Sequence, residues 1–298
     1  MADISNPTSR VLDILNFLAA HPTESFTLAE IARHLGLSNG SAHRILTTMT
    51  DAHFLSRHPK HKTYALGMAP VAIGEAALEK HRGLEIARRA IARLAVELNV
   101  QCTINAIVED DVLLLAKEGR SQTQDSLHRV GERTPIVPPI GIGLIAWSSA
   151  KDIAAYLAQA AAHLSEPLQA HLQEALPLIR NRRYSIATAG PAMRKLRQTA
   201  IQRIGRPRDD AYWASLYALL GELTATEIQL FDIDDIGANG LSYISAPVFS
   251  PSGNVSFELM ITGVPLNISV QTIKEFAEKL CATAAAVTSE TYGQLPKL

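Results

Sequence analysis

The chain has 298 residues, of which 47% are apolar and 19% charged, and its formal net charge is -1. Those proportions describe a globular protein with ample core material and exclude a disordered or collagen-like chain, and the length points to two domains. No apolar run approaches the ~18 residues of a membrane span, and Met1 is not followed by a charged-then-apolar leader, so a cytoplasmic protein without membrane contact is expected. Cys102 and Cys281 stand far apart without metal-ligand neighbours, which favours free thiols in a reducing compartment over a disulfide or a zinc site. No cofactor or metal is expected.

In chain order, Val11, Ile14, Leu15 and Leu18 recur at helical spacing and predict a helix over Ser9 to Ala20, closed by His21-Pro22. Thr27 and Glu30 then stand in the spacing of a capping box, and Leu28, Ile31, Ala32 and Leu35 give the helix that follows one apolar face. Gly36 suits a helix end, Leu37 can plug a corner, and Ser38 can cap a further helix whose stripe is Ala42, Ile45, Leu46 and Met49. This is the build of a helix-turn-helix. Off the stripe of the second helix lie Ser38, Asn39, Gly40, Ser41, His43, Arg44 and Thr47, all small, polar or basic, as contact with phosphates and base edges in a major groove requires. The alternative is a helical pair whose polar face is simply wet.

Phe54-Leu55 and Thr63-Tyr-Ala-Leu66 read as two short strands around the polar, basic tip Ser56 to Lys62, a wing in which Arg57, Lys60 and Lys62 would meet phosphates. Arg33, Arg44, Arg57, Lys60 and Lys62 are set against the single acid Asp51 in this stretch, so positive charge gathers here although the whole chain is slightly acidic. Residues 6–67 are therefore expected to form a winged helix-turn-helix DNA-binding domain.

Gly67-Met-Ala-Pro70 breaks the pattern, and residues 68–83 are read as a linker helix. Residues 84–298 form the second domain, opening with a helix from Leu84 to Leu98. Val100 to Val108 with Val112 to Lys117, and Leu241 to Phe249 with Val255 to Thr262, predict two hairpins, and Ser269 to Tyr292 predicts a terminal helix. Helices packed on antiparallel hairpins make an α+β domain. Its middle, Lys151 to Leu223, reads as mostly helical, and the basic run Arg194 to Arg208 as an exposed face rather than a second nucleic-acid contact. Gly141-Ile-Gly143-Leu-Ile-Ala146 matches a dinucleotide motif, but Pro138-Pro139 stands where that fold needs a buried strand. Without a nucleophile elbow, phosphate loop or zinc-protease motif, the chain is not expected to be an enzyme.

The order of these parts resembles the IclR family of bacterial transcriptional regulators over nearly the full length. The winged module from Ser9 to Gly67 carries the likeness, as does Gly240-Leu-Ser-Tyr-Ile-Ser-Ala-Pro-Val-Phe249, followed by Gly253 and Thr262-Gly263, which is similar to the family's Gly-x-x-Cys-Ile-Ala-Ala-Pro-Val-Phe block. The resemblance implies a winged helix-turn-helix, a linker helix and a GAF-like α/β effector-binding domain. It further implies a homodimer or homotetramer that binds a double-stranded DNA operator, acts as a repressor and answers to a small-molecule effector. A DNA-binding module tethered to a catalytic or partner-binding domain is the alternative. Where the family has Leu-His-Ala-Thr-Ala-x-Gly-Lys-Ala, this chain has Ile136-Val-Pro-Pro-Ile-Gly-Ile-Gly-Leu-Ile-Ala-Trp147. The pocket glycine then matches Gly143, beside Leu144, and an acidic pocket position falls on Asp232 or Asp234. Other pocket positions appear as Tyr243, Met260 and Thr262, which would suit an aromatic or larger ligand, or a carboxylic one; Tyr243 and Met260 read equally well as core. The stretch 192–221 is longer than the family pattern and has no assigned role.

Overall fold

The computed structural model describes residues 7–123, 129–201 and 208–296. It divides into an N-terminal unit built on the residues up to Arg82 and a C-terminal unit built on those from Gly83 onward.

The N-terminal unit holds α1 (Pro7–Ala19), α2 (Leu28–Leu35) and α3 (Asn39–Asp51), with a small antiparallel sheet of β1 (Phe26–Thr27), β2 (Leu55–Arg57) and β3 (Thr63–Leu66) in the order β1-β3-β2. The two-residue β1 is too short to betray itself in sequence; it exists because Phe26 pairs with Tyr64. Ile14, Leu18, Ile31, Ala42, Leu46 and Tyr64 meet in one core. Each of the leucine and isoleucine side chains contributes ~1.5–3 kcal/mol when fully buried, and the core exists only if α1, α2 and α3 present their apolar stripes together. The Thr27 and Glu30 capping box is formed, with the Thr27 amide donating to Glu30 at 2.7 Å, and it holds the carboxyl of Glu30 below its usual range. Gly36 ends α2 with φ of 64°.

Beyond the wing come α4 (Ala69–Lys80) and α5 (Arg82–Leu98), separated at His81, where φ and ψ of -105° and 52° leave the helical region. α4 has no buried residue, whereas α5 buries Ala87, Ala90, Ile91, Leu94 and Ala95.

The C-terminal unit is α+β. Its six strands are β4 (Gln101–Val108), β5 (Asp111–Gly119), β6 (Arg133–Pro135), β7 (Ser185–Thr188), β8 (Leu241–Phe249) and β9 (Val255–Thr262). They form one antiparallel sheet in the order β6-β5-β4-β9-β8-β7. β4–β5 and β8–β9 are the two expected hairpins, while β7 lies inside the stretch expected to be mostly helical. Four residues, Ser-Ile-Ala-Thr, carry too little periodicity to be told from a loop, and it is pairing with β8 that makes them a strand.

The two faces of this sheet differ in chemistry. On one, Ile104, Ile186, Ile244, Ala246, Leu259 and Ile261 pack against α5 and against α12 (Val270–Glu290) through Ile91, Leu94, Ile273, Phe276 and Leu280. On the other, Gln101, Thr103, Asn105, Ser185, Ser245, Glu258 and Thr262 are each at most 6% exposed. That polar face shares its side with a helical layer of α6 (Ile142–Ile145), α7 (Ala150–Ala160), α8 (Glu166–Arg182), α9 (Pro191–Ile201), α10 (Asp210–Gly221) and α11 (Ala225–Ile228). Those helices have an apolar core of their own, in which Trp147, Tyr156, Leu172, Leu196, Tyr212 and Leu216 are buried.

The basic run 194–208 departs from its expected role as an exposed face. Arg194 donates to the Ala189 carbonyl, Lys195 pairs with Glu222 at 3.7 Å, and Arg208 pairs with the buried Asp111 at 2.6 Å, while Arg197 turns inward. Residues 202–207 of the run lie outside the described residues. The ion pairs are set by partners distant in sequence, which a local charge count cannot register.

At Gly36, no atom lies within 4 Å of where a Cβ would stand, so backbone conformation and not room restricts the site. Gly36→Ala is expected to lower stability by about 1–2 kcal/mol, and Gly36→Asn, although larger, by less, because asparagine tolerates the left-handed region. Urea unfolding of the two variants checks this, and the reverse order would refute it.

Candidate functional site

Two places in the molecule concentrate polar chemistry. The first is α3. Ser38 caps it, accepting from the Ser41 amide at 3.3 Å, and Ala42, Leu46 and Met49 are buried beneath it. With that stripe pinned, Gly40, His43, Arg44 and Thr47 are exposed at i, i+3, i+4 and i+7 along the opposite side, with Asn39 exposed just ahead of them. Ser38 is exposed and Ser41 half-buried at the same helix start. The first turn carries no acid, so unpaired amide groups and the positive end of the helix face outward there, as anion binding favours. Arg10 of α1 and Arg44 of α3 line one surface cleft together with Ser41 and Thr48. Arg10 was missed in sequence because it precedes the first apolar position of its helix and stands far from the helix-turn-helix in the chain.

The wing tip is built around His58. Its Nδ1 accepts from the amides of Lys60 and His61 at 3.2 and 3.1 Å, its own amide donates to the Thr63 carbonyl, and its ring lies 4.6 Å from that of His61. Lys62 has a φ of 56°, the price of so tight a turn. Lys60 and Lys62 are exposed on this tip, and Arg57 is exposed with its guanidinium 5.4 Å from the centre of the Tyr64 ring, so it is steadied against the strand beside it. His34, by contrast, lies 5.1 Å from the ring of Phe17 and is half-buried, on the core side of its helix.

The second place is a cavity of about 140 Å³ between the polar face of the sheet and the helical layer. A cavity of ~150 Å³ accommodates a benzene ring. Leu114 and Met260 from the sheet and Ile140, Ile142, Met193 and Leu196 from the covering segments make its apolar lining. Asn105, Glu132, Thr134, Arg197, Tyr243 and Glu258 bring polar groups into it. Burying polar side chains costs free energy unless they find partners, so a lining of this kind is suited to a ligand that supplies them.

Individual groups are positioned by identifiable contacts. Gly143 of α6 lies so close to the sheet that an added Cβ would stand 2.2 Å from Glu258 Oε1, so any larger residue here would displace the carboxyl from its present position. Burial pushes Glu258 up to about 7, the Ser245 hydroxyl pulling the other way. Tyr243 is held by a 3.1 Å hydrogen bond between its hydroxyl and Ser185 Oγ, and burial raises it to about 12. Tyr156 donates to the Ile140 carbonyl at 3.1 Å and so fixes the loop before α6. Arg197 donates to the Ser242 carbonyl at 3.5 Å, and burial lowers its pKa, countered by Tyr243 and Glu132.

Of the residues expected at a pocket, Gly143, Tyr243 and Met260 line this cavity. Leu144 is buried but outside the lining, and Thr262 sits on the polar sheet face, accepting from Gln101 at 3.5 Å, also outside it. Asp232 and Asp234 lie apart from it. Both are exposed: Asp232 caps the 3-10 turn Ile233–Asp235 and Asp234 pairs with Lys274 at 2.9 Å, at the end of α12 and away from the cavity. The acidic groups that do line the cavity are Glu132 and Glu258. Glu258 had a signal in sequence, since Val255-Ser-Phe-Glu-Leu259 alternates, but the polar side of such a strand is ordinarily read as solvent-facing. Among the described residues, no group of three or more His, Cys, Asp or Glu side chains could hold a metal.

Comparison with known proteins agrees with this architecture. Residues 7–59 match the IclR helix-turn-helix domain. An IclR transcriptional regulator from Alicyclobacillus acidocaldarius superposes with a TM-score of 0.65 at 16% identity, covering 96% of this chain and 98% of its own. The Thermotoga maritima IclR gives 0.60 at 15% identity, covering 96% and 98%. An IclR homologue from Microbacterium hydrocarbonoxydans, complexed with 4-hydroxybenzoate, gives 0.62 at 18% identity, covering 96% and 99%. No curated protein sequence matches the chain. The N-terminal unit is thus an IclR helix-turn-helix domain, and the chain has the fold of the IclR transcriptional regulators, with an α+β, GAF-like C-terminal unit.

The elevated carboxyl of Glu258 makes stability depend on pH. Its folded pKa of about 7 lies above the ordinary carboxylate value of 4.5, so the folded state holds a proton that the unfolded state releases in between. Stability from this group is complete below pH ~4.5 and is lost as pH rises to ~7, by on the order of 3 kcal/mol in all. Glu258→Gln, which keeps the shape without the charge, is expected to melt higher than the wild type at pH 8 and with it at pH 4.5. Melting curves at the two pH values check this, and a constant difference between the proteins would refute it.

Proposed function

We propose that the chain is a ligand-responsive transcriptional repressor, in which α3 reads operator DNA and the cavity of the C-terminal unit binds a small effector. The observation that carries the DNA half is the exposed row Asn39, Gly40, His43, Arg44 and Thr47 on a helix whose other side is locked in a core. Ser38, Ser41 and the helix start are suited to phosphate oxygens, and Arg44 with Asn39 to base edges in the major groove. Arg57, Lys60 and Lys62 extend the positive surface to the flanking backbone. Two such modules in a homodimer, or four in a homotetramer, would read a palindromic site with half-sites ~34 Å or a multiple apart. Met68, Val71 and Ile73, 76%, 52% and 55% exposed on or beside α4, are available for self-association.

The effector half rests on the cavity. Its size suits one aromatic ring, and the homologue that binds 4-hydroxybenzoate gives an aromatic carboxylate as the class to test first. A ligand that prefers one arrangement of the DNA-binding modules by ~1–3 kcal/mol changes operator affinity about 5- to 150-fold. The segment 68–83, between domains assigned to 6–67 and 84–298, would pass that preference on.

Arg44→Ala is expected to cost ~1–3 kcal/mol in operator binding and to relax preference at one base position. Lys60→Ala is expected to weaken binding to all sequences and to make the dependence on log salt shallower by about 1. Footprinting on genomic fragments followed by anisotropy titrations in 50 to 200 mM salt reads both. Unchanged affinity and preference in Arg44→Ala would remove α3 from the groove, and a wild-type salt slope in Lys60→Ala would remove the wing from the backbone.

A further inference from the structure

Polar groups of opposite charge enter the cavity from different elements. Arg197 reaches in from α9 and is anchored on the Ser242 carbonyl, near the start of β8. Glu258 enters from β9, where its register partner on β8 is Pro247. Ser242 to Pro247 spans ~16 Å of strand at ~3.3 Å per residue, with Tyr243, Met260 and Leu196 lining the space that Arg197 and Glu258 enter.

Arg197 and Glu258 each have hydrogen-bonding capacity left over. A guanidinium has five N–H donors, and that of Arg197 makes one long bond to a carbonyl, with Glu132 as its acidic neighbour. A carboxylate has about four acceptor positions; beside that of Glu258 stands the Ser245 hydroxyl, with the Tyr243 and Tyr156 hydroxyls near enough to feel its charge. Asn105, opposite Glu258 in the β4–β9 register, spends its amide on Thr103 Oγ1 at 3.3 Å and Met260 Sδ at 3.9 Å. Tyr243 spends its hydroxyl on Ser185. Among the described residues, the Asn105 amide and the Tyr243 hydroxyl thus have partners of their own, while Arg197 and Glu258 keep hydrogen-bonding capacity in excess.

We infer that the effector is a bipolar single-ring aromatic, with an anionic group read by Arg197 and a hydrogen-bond donor on the far side of the ring read by Glu258. This rests on the proposed effector role of the cavity and adds which residue recognises which end. A ring with an anion alone leaves the Glu258 carboxyl facing apolar carbon, and one with a donor alone leaves the guanidinium short of acceptors. Each loss is of the size that separates good ligands from poor ones.

Calorimetric titration of the full-length protein with 4-hydroxybenzoate, 4-methoxybenzoate, benzoate and phenol tests the assignment. The wild type is expected to bind 4-hydroxybenzoate at least about tenfold more tightly than benzoate or 4-methoxybenzoate, which lack the donor. Glu258→Leu should abolish that preference while still binding benzoate. Arg197→Met should lose about tenfold or more on benzoate and leave phenol unchanged. Far-ultraviolet circular dichroism and operator binding identify any variant that fails to fold, in which case Glu258→Gln and Arg197→Lys take its place with smaller effects in the same direction. Equal affinity for 4-hydroxybenzoate and 4-methoxybenzoate, or equal losses on benzoate and phenol in Arg197→Met, would overturn the two-ended assignment while leaving the effector reading intact. Silence of all four compounds with a folded, operator-binding protein would overturn both.

Discussion

The polar face of the C-terminal sheet, buried instead of solvated, is the constraint from which the rest of that unit follows. Strands β4, β8 and β9 each alternate apolar and polar residues, and their apolar side closes on α5 and α12 in an ordinary core. The opposite side would be content in water. It is instead at most 6% exposed at Gln101, Thr103, Asn105, Ser185, Ser245, Glu258 and Thr262. Side chains of this kind cannot be packed tightly by leucines without a penalty. The helical layer above them accordingly has a separate apolar core and leaves a cavity where the two layers meet. Gly143 is the expression of that compromise: without a Cβ, α6 comes down onto the Glu258 carboxyl, and with one the carboxyl would have to move.

In the N-terminal unit the division of labour runs the other way. The buried stripe of α3 carries the stability, and the exposed row is free of structural duty, so its residues answer only to what they touch outside. Thr48 and Thr50 illustrate the boundary, since their hydroxyls turn back to the carbonyls of Arg44 and Leu46 and are spent within the helix. His58 does the comparable service at the wing tip, holding a turn whose lysines then stand clear of the sheet.

Sequence and structure part company where charge is concerned. The basic run 194–208 reads as a solvated face, yet Arg197 enters the cavity and Arg208 meets Asp111, contacts made across more than one element of the fold. Asp232 and Asp234 fit an acidic pocket position by alignment, yet cap a turn and pair with Lys274 at the surface. Both differences arise because an ionisable residue is placed by its long-range partner, while an apolar stripe is placed by its neighbours three and four residues away.

The amino-acid sequence by itself determined the helix-turn-helix, the wing, the two hairpins and the terminal helix. Each is written in a local repeat with its own cap or turn: Thr27 with Glu30, Gly36, Ser38, and Ser250 to Asn254. Local repeats need no knowledge of the rest of the chain. Tertiary structure alone decided that β1 and β7 are strands, that the polar side of the sheet is covered, and that Arg197 and Glu258 face the same cavity. Those facts depend on pairings such as Phe26 with Tyr64, Ser185 with Ser245 and Asn105 with Glu258. Such partners are brought together only when the whole unit closes.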